Sequence, residues 1–133
     1  GIRMKIAITG SRSIQDKAWV FANLTNQFQE IELQSKKNSL HPQVLLSGGA
    51  LGIDTLAREY AEDKGLDFVL FKPYHLVDNK VEFETKYFFS RNRQLVDNAD
   101  IVICIWDGFS HGTQHVMKYA EKKSKRLIVI KRT

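Results

Sequence analysis

Apolar and polar residues alternate along the chain with two different periods. Between segments of helical period, where apolar residues recur every three or four positions, stand short apolar runs that are typical of buried strands. The predicted strands cover residues 4–9, 44–46, 67–71, 101–106 and 127–130. The predicted helices cover residues 16–34, 53–65, 83–98 and 113–123. Residues 74–82 show neither period and are expected to form an irregular loop.

Strands that alternate with helices indicate right-handed βαβ units. The sequence therefore predicts an α/β, Rossmann-like three-layer domain with a mainly parallel five-stranded sheet. The run at 101–106 is apolar on both faces, as expected of a central parallel strand. Residues 1–3 precede Met4 and are interpreted as a cloning remnant, so a single domain is expected over residues 4–133.

Composition narrows the functional classes only a little. The net charge is +5, but the basic run at 122–126 falls at the end of a predicted helix, where cations favour the helix dipole. No apolar run approaches the roughly 20 residues of a membrane span, so no membrane partner is expected. The single cysteine, Cys104, is interpreted as a core residue of a protein in a reducing, cytoplasmic compartment. The four histidines form no metal-binding pattern, and we expect neither a metal nor a cofactor.

In a parallel sheet of this kind, ligands bind beyond the carboxyl ends of the strands. The residues that follow three of the predicted strands suit an anion, because glycines let backbone N–H groups approach it, arginine binds phosphate, and helix N-termini attract negative charge. They are Gly10, Ser11 and Arg12 after the first strand, Ser47, Gly48 and Gly49 after the second, and Asp107, Gly108, Ser110, Gly112 and Thr113 after the fourth. Turn formation alone also favours glycine and serine, and Thr113 suits a helix N-cap without any ligand.

Three further residues are candidates for the same site. Asp54 stands in the first turn of a helix, where the dipole stabilises a carboxylate, and it could also bind a ribose hydroxyl or act as a base. Residues two apart do not share a helix face, so only one of Arg91 and Arg93 is expected to point inward. We select Arg91, together with the adjacent Asn92.

These motifs, taken in order, resemble the SLOG superfamily, and most of all its small stand-alone, YspA-like branch. The resemblance is carried by residues 10–12, 47–54, 91–92, 99–100, 106–108 and 110–113. It implies a Rossmann-like domain that binds nucleotides or nucleotide-derived signals, often as a dimer or higher oligomer. The same superfamily includes the Lonely Guy phosphoribohydrolases and DNA-processing protein A.

The resemblance breaks at one position. The Lonely Guy enzymes carry a Gly-Thr-x-x-Glu pattern whose glutamate contacts the ribose, and Val116 stands there in this chain. Glycosidic cleavage needs a nearby carboxylate, so the sequence favours binding of an NAD, ADP-ribose or cyclic-nucleotide type of ligand, as a sensor or sponge. A first alternative is an N-glycoside hydrolase that uses Asp54 or Asp107. The second is a DNA-binding module, disfavoured because the chain shows no aromatic ladder for single strands.

Overall fold

The computed structural model describes residues 3–35, 41–48, 52–72, 75–77, 80–82 and 85–132. In chain order the elements are β1 (Arg3–Gly10), α1 (Lys17–Ser35), β2 (His41–Ser47), α2 (Ile53–Lys64), β3 (Asp67–Leu70), β4 (His75–Val77), β5 (Lys80–Glu82), α3 (Thr85–Asn98), β6 (Ile101–Trp106), α4 (His111–Lys122) and β7 (Arg126–Lys131). None of the described helices has the length and apolar character needed to span a membrane.

The main sheet contains five parallel strands in the order β3-β2-β1-β6-β7. Strand β1 lies at the centre, where Ala7 pairs with Leu46 of β2 on one side and with Val102 of β6 on the other. The chain builds the sheet outward from β1 in one direction and then returns to add β6 and β7 in the other. The predicted Rossmann-like α/β fold with a parallel five-stranded sheet is confirmed.

Helices cover both faces of the sheet, which gives the three layers. Alternate residues of β1 point to opposite faces, so Ile6 and Ile8 enter the core beneath α1 and α2. Ala7 enters the second core, which Leu95 of α3 and Ala120 of α4 complete. Full burial of an aliphatic side chain stabilises a fold by about 1.5–3 kcal/mol, so these two cores fix the positions of the loops at the strand ends.

Two expectations about local structure are wrong. Residues 74–82 do not form an irregular loop throughout, because His75–Val77 pairs antiparallel with Lys80–Glu82 as a separate two-stranded sheet. Strands of three residues are too short to show a period of two. Helix α4 begins at His111 with Ser110 as its N-cap, so Thr113 lies in the first turn and is not a cap. The predicted start at residue 113 is therefore two residues late.

Cys104 lies at the centre of β6 and is fully buried, as expected of a small core residue. Burial raises the pKa of its thiol to about 12, and the negative charge of Asp54 acts in the same direction. The thiol is therefore protonated at neutral pH, and it packs as an apolar group.

Candidate functional site

An open cleft of about 550 Å³ lies at the carboxyl ends of the adjacent strands β1 and β6. The loops after these two strands, the start of α2 and the side of α3 near Arg91 form its walls. Small-molecule sites have volumes of roughly 300–1,000 Å³, so the cleft can hold a ligand of nucleotide size. The predicted residues that line it are Gly10, Ser11, Arg12, Asp54, Arg91, Asn92, Asp107, Ser110, Gly112 and Thr113.

Three of the remaining predicted residues, Ser47, Gly48 and Gly108, are not among the residues that line the cleft. Ser47 is buried at the end of β2, and Gly48 uses its carbonyl oxygen to accept a hydrogen bond from Arg91. Gly108 turns the chain with a φ of 91°, a conformation that favours glycine. Gly49 falls outside the described residues.

Several lining residues were missed from the sequence. They are Thr9, Ser13, Phe88, Phe89, Phe109 and His111. Two of them had a detectable signal, because Phe88 stands three residues before Arg91 and Phe89 three before Asn92, and such pairs share a helix face. The structure brings the Arg91 guanidinium carbon to 5.9 Å from the centre of the Phe88 ring.

Hydrogen bonds join the loops that follow β1 and β6. The backbone N–H of Asp107 donates to the Ser11 hydroxyl oxygen at 3.0 Å, and the Ser110 hydroxyl also contacts that oxygen. From the first loop, the Ser13 hydroxyl donates to Oδ2 of Asp107 at 2.8 Å. The two loops are therefore held together as one rim of the cleft.

Asp107 organises its own loop through its carboxylate. Oδ1 accepts hydrogen bonds from the backbone N–H groups of Phe109 and Ser110, both at 2.8 Å, and from the Ser110 hydroxyl at 2.9 Å. These bonds, led by the one from Phe109, hold the pKa of Asp107 well below its usual range. A carboxylate of such low basicity is a poor general base, and its oxygens already serve the loop.

The N-terminus of α4, from Ser110 to Thr113, lines the cleft. Within the described residues, Ser110 makes no side-chain capping bond to the helix. The N–H groups of His111, Gly112 and Thr113 belong to the first turn, where a helix supplies no backbone acceptor. A side chain at position 112 would meet nothing within 4 Å among the described residues, so packing there does not require a glycine.

Two arginines, Arg12 and Arg91, and two aspartates, Asp54 and Asp107, line the cleft. Arg91 is only 8% exposed, whereas Arg93 is exposed, so of the two arginines it is Arg91 that points inward. Burial lowers the pKa of Arg91, the charge of Asp54 opposes that shift, and the charge of Arg12 adds to it. The charge of the buried Asp54 carboxylate thus acts on Arg91, and the exposed Arg12 is the other cation that lines the cleft.

Asn92 connects this charged region to α4. Its Oδ1 accepts a hydrogen bond from Nε of Arg91 at 2.9 Å, and its Nδ2 lies 3.4 Å from Nδ1 of His115. Burial, assisted by the charge of Arg93, lowers the pKa of His115, so the ring is neutral at neutral pH and Nδ1 can accept this bond. Asn92 therefore holds the Arg91 guanidinium in a fixed orientation.

Val116 lies in the next turn of α4 and does not reach the cleft. It is 1% exposed and belongs to the core between the sheet and the helices α3 and α4. Helix α4 therefore presents no carboxylate at this position.

Comparison with known families identifies the chain. Residues 4–75 match the family described as the YspA, cpYpsA-related SLOG family. The chain belongs to this family. The match covers β1 to the start of β4, including the loop with Arg12 and the start of α2 with Asp54. No curated protein matches the chain in sequence.

Solved structures share the fold of this SLOG domain. DNA processing protein A from Helicobacter pylori, described with a unique single-stranded DNA binding mode, is 23% identical with a TM-score of 0.68, over 98% of this chain and 66% of that protein. The Streptococcus pneumoniae protein of that name is 20% identical with a TM-score of 0.69, over 98% of this chain and 51% of that one. A molybdenum cofactor binding protein from Rippkaea orientalis is 22% identical with a TM-score of 0.68, over 99% and 78%. At these identities the likeness shows the fold.

Proposed function

We propose that this SLOG domain binds a nucleotide or nucleotide-derived signal in the cleft, with the ligand phosphate at the N-terminus of α4. One observation carries the proposal: separate segments of the chain converge on a single cleft with anion-binding donors on one side and a buried carboxylate on another. In sheets of this topology, a cleft at the carboxyl ends of adjacent strands is the usual ligand site.

The phosphate part of the proposal rests on α4 and Arg12. The first-turn N–H groups of α4 point along the helix axis, and the helix dipole places partial positive charge at the same end. The lack of a side chain at Gly112 lets an oxygen approach the backbone closely. Arg12 lines the same cleft, is exposed, and can add a charge-assisted, bidentate contact.

The sugar part of the proposal rests on Asp54. Its carboxylate is buried, lines the cleft and interacts electrostatically with Arg91. Carboxylate oxygens accept hydrogen bonds from hydroxyl groups, which a ribose supplies in adjacent pairs. Phe88 and Phe89 line the same cleft and offer apolar surface for a base.

Binding is favoured over cleavage by the carboxylates of the cleft. Val116 lies in the core, and the basicity of Asp107 is suppressed by the bonds that organise its loop. Only Asp54 then remains among the lining residues to support glycoside hydrolysis, where catalysis uses a pair of carboxylates in most enzymes of that kind. We propose that the protein senses or sequesters its ligand in the cytoplasm, as a homodimer or higher oligomer. Light scattering measures its molar mass and tests the oligomeric state.

The test separates binding from cleavage. The purified protein is incubated with nucleoside monophosphates, NAD, ADP-ribose and cyclic nucleotides, and the solution and the denatured protein are then analysed by chromatography. Intact nucleotide recovered from the protein supports the proposal. Free base or nicotinamide that accumulates in solution and disappears with Asp54→Ala supports the hydrolase instead.

A pair of arginine variants tests the phosphate contact. Arg12→Ala removes a charged hydrogen bond of about 1.5–3 kcal/mol and should weaken nucleotide binding by tenfold or more. Arg58→Ala is the matched control, because Arg58 is exposed on α2, where it pairs with Glu62, and does not line the cleft. Equal affinities in the two variants would refute the role of Arg12. Single-stranded DNA serves as a further probe, and salt-dependent binding to it in preference to every nucleotide would favour the DNA-binding alternative.

A further inference from the structure

Phe109 exposes an aromatic ring at the edge of the cleft. The residue is 82% exposed, the largest exposed fraction among the large apolar residues that the structure describes. Its backbone is nevertheless well held, because its N–H donates to Oδ1 of Asp107 and the preceding Gly108 completes the turn with a φ of 91°. The fixed loop thus keeps an apolar ring exposed to water, and this exposure is unfavourable in free energy.

A second cleft, of about 740 Å³, adjoins the first at this ring. Ser13, Asp107 and Phe109 line both clefts, so the two share one wall and the Phe109 ring projects from it. The sharing of a wall makes the first cleft part of a longer surface. A ligand that fills only the first cleft would leave the second one unused.

An ion pair lines the second cleft, whose surface is otherwise largely apolar. Arg132 donates from Nη2 to Oδ2 of Asp16 at 3.0 Å, and its guanidinium carbon lies 4.5 Å from the centre of the Trp19 ring. The charge of Arg132 is therefore already compensated, although the pair still offers N–H donors and carboxylate acceptors. Asp107 lines this cleft as well, so the charged groups of the cleft sum to a net negative charge, which suits hydroxyl groups better than a second phosphate.

We infer that the second cleft is a sugar subsite and that the ligand is a nucleotide extended beyond its phosphates by a sugar, packing against Phe109 where it passes from one cleft to the other. This inference rests on the proposed function, which places the phosphates at the start of α4. The exposed ring then gains a partner when the ligand binds, and its fixed backbone means that little ordering is needed.

Matched pairs of nucleotides test the inference by calorimetry. ADP is compared with ADP-glucose, and UDP with UDP-glucose, so that only the added sugar differs within a pair. The sugar nucleotide of at least one pair should bind about tenfold more tightly. Diphosphates that bind as tightly as their sugar forms would overturn the inference and leave the proposed function standing. If none of the four binds and the nucleotide panel also fails, the proposed function falls and this inference falls with it.

Variants on each side of the wall locate the subsite. Phe109→Ala should lower the affinity for the sugar nucleotide about tenfold, because an aromatic packing partner is lost. Phe109→Tyr should retain the affinity of the wild type. Arg132→Ala should bring the affinity ratio of the pair towards one. Leu33→Ala is the control, since Leu33 is 64% exposed on α1 and lines neither cleft. Thermal melting verifies that each variant is folded. An unchanged ratio in both Phe109→Ala and Arg132→Ala would overturn the assignment.

Discussion

The guanidinium of Arg91 occupies the space that a side chain at position 48 would fill. A Cβ atom on Gly48 would lie 2.1 Å from Nη1 of Arg91, the nitrogen that donates a 2.7 Å hydrogen bond to the Gly48 carbonyl oxygen. Arg91 can therefore be buried at this position because Gly48 has no side chain. This contact joins the end of β2 to α3 and fixes the charge beside Asp54.

Replacement of Gly48 tests this arrangement. Gly48→Ala should lower the free energy of unfolding by about 1–3 kcal/mol, because the added methyl group overpacks a buried site. Urea unfolding followed by circular dichroism measures the change. A variant as stable as the wild type would mean that Arg91 moves aside at no cost, which its buried hydrogen bonds argue against.

Gly112 offers the opposite case at the start of α4. Gly112→Ala should raise the free energy of unfolding by up to about 1 kcal/mol, because alanine favours the helix and finds open space. The same change should weaken nucleotide binding, since the methyl group stands where a phosphate oxygen would approach the backbone. Melting and calorimetry on one variant measure both effects. Greater stability with undiminished affinity would remove the phosphate from this helix end.

Arg91 and Arg93 form a matched pair of substitutions on one helix. Arg91→Leu should destabilise the fold by about 3–5 kcal/mol, because it leaves the buried Asp54 carboxylate without its compensating charge. Arg93→Leu should change stability by no more than about 0.5 kcal/mol, because Arg93 is exposed. Chemical denaturation measures the free energy of unfolding of both variants. Similar decreases in the two would show that Arg91 does not compensate the charge of Asp54.

Asp107 should make stability depend on pH. Its pKa in the folded chain is lowered, so the ionised form stabilises the fold above the unfolded-state pKa of about 3.9, and this contribution is lost as the pH falls towards the lower folded-state value. Wild type should therefore be more stable than Asp107→Asn at pH 7, and the difference should shrink below pH ~4. Unfolding curves at pH 7 and pH 3 compare the two. A difference that stays constant would mean that the carboxylate's charge is not what holds the loop.

The periodicity of the chain predicted the sheet and helices well because the central strands β1, β2 and β6 are largely buried on both faces, and their sequences are therefore apolar runs. Strand β6, for example, is apolar throughout. In the following helix α4, the buried residues Thr113, Val116 and Ala120 recur every three or four positions. The hairpin of β4 and β5 escaped prediction because its stability comes from pairing between short segments, which a periodic pattern does not record.

The candidate site, too, was predictable where the regular elements position its residues and was not predictable in the loops. Arg12, Asp54 and Gly112 stand at strand or helix ends, where topology alone brings them to one edge of the sheet. The role of Phe109 could not be predicted in this way, because a single phenylalanine in a loop belongs to no pattern that indicates a ligand site. Only the turn geometry set by Asp107 shows that its ring is held away from the core.

The hydrogen bonds between Ser11, Asp107 and Ser110 have a kinetic consequence. They are formed within the chain, so the rim of the cleft is assembled when the protein folds and the incoming molecule need not reorder it. Association should then be fast and similar for related ligands, as is usual for preformed sites. Discrimination between those ligands would consequently appear in how long each one stays bound, that is, in the dissociation rate.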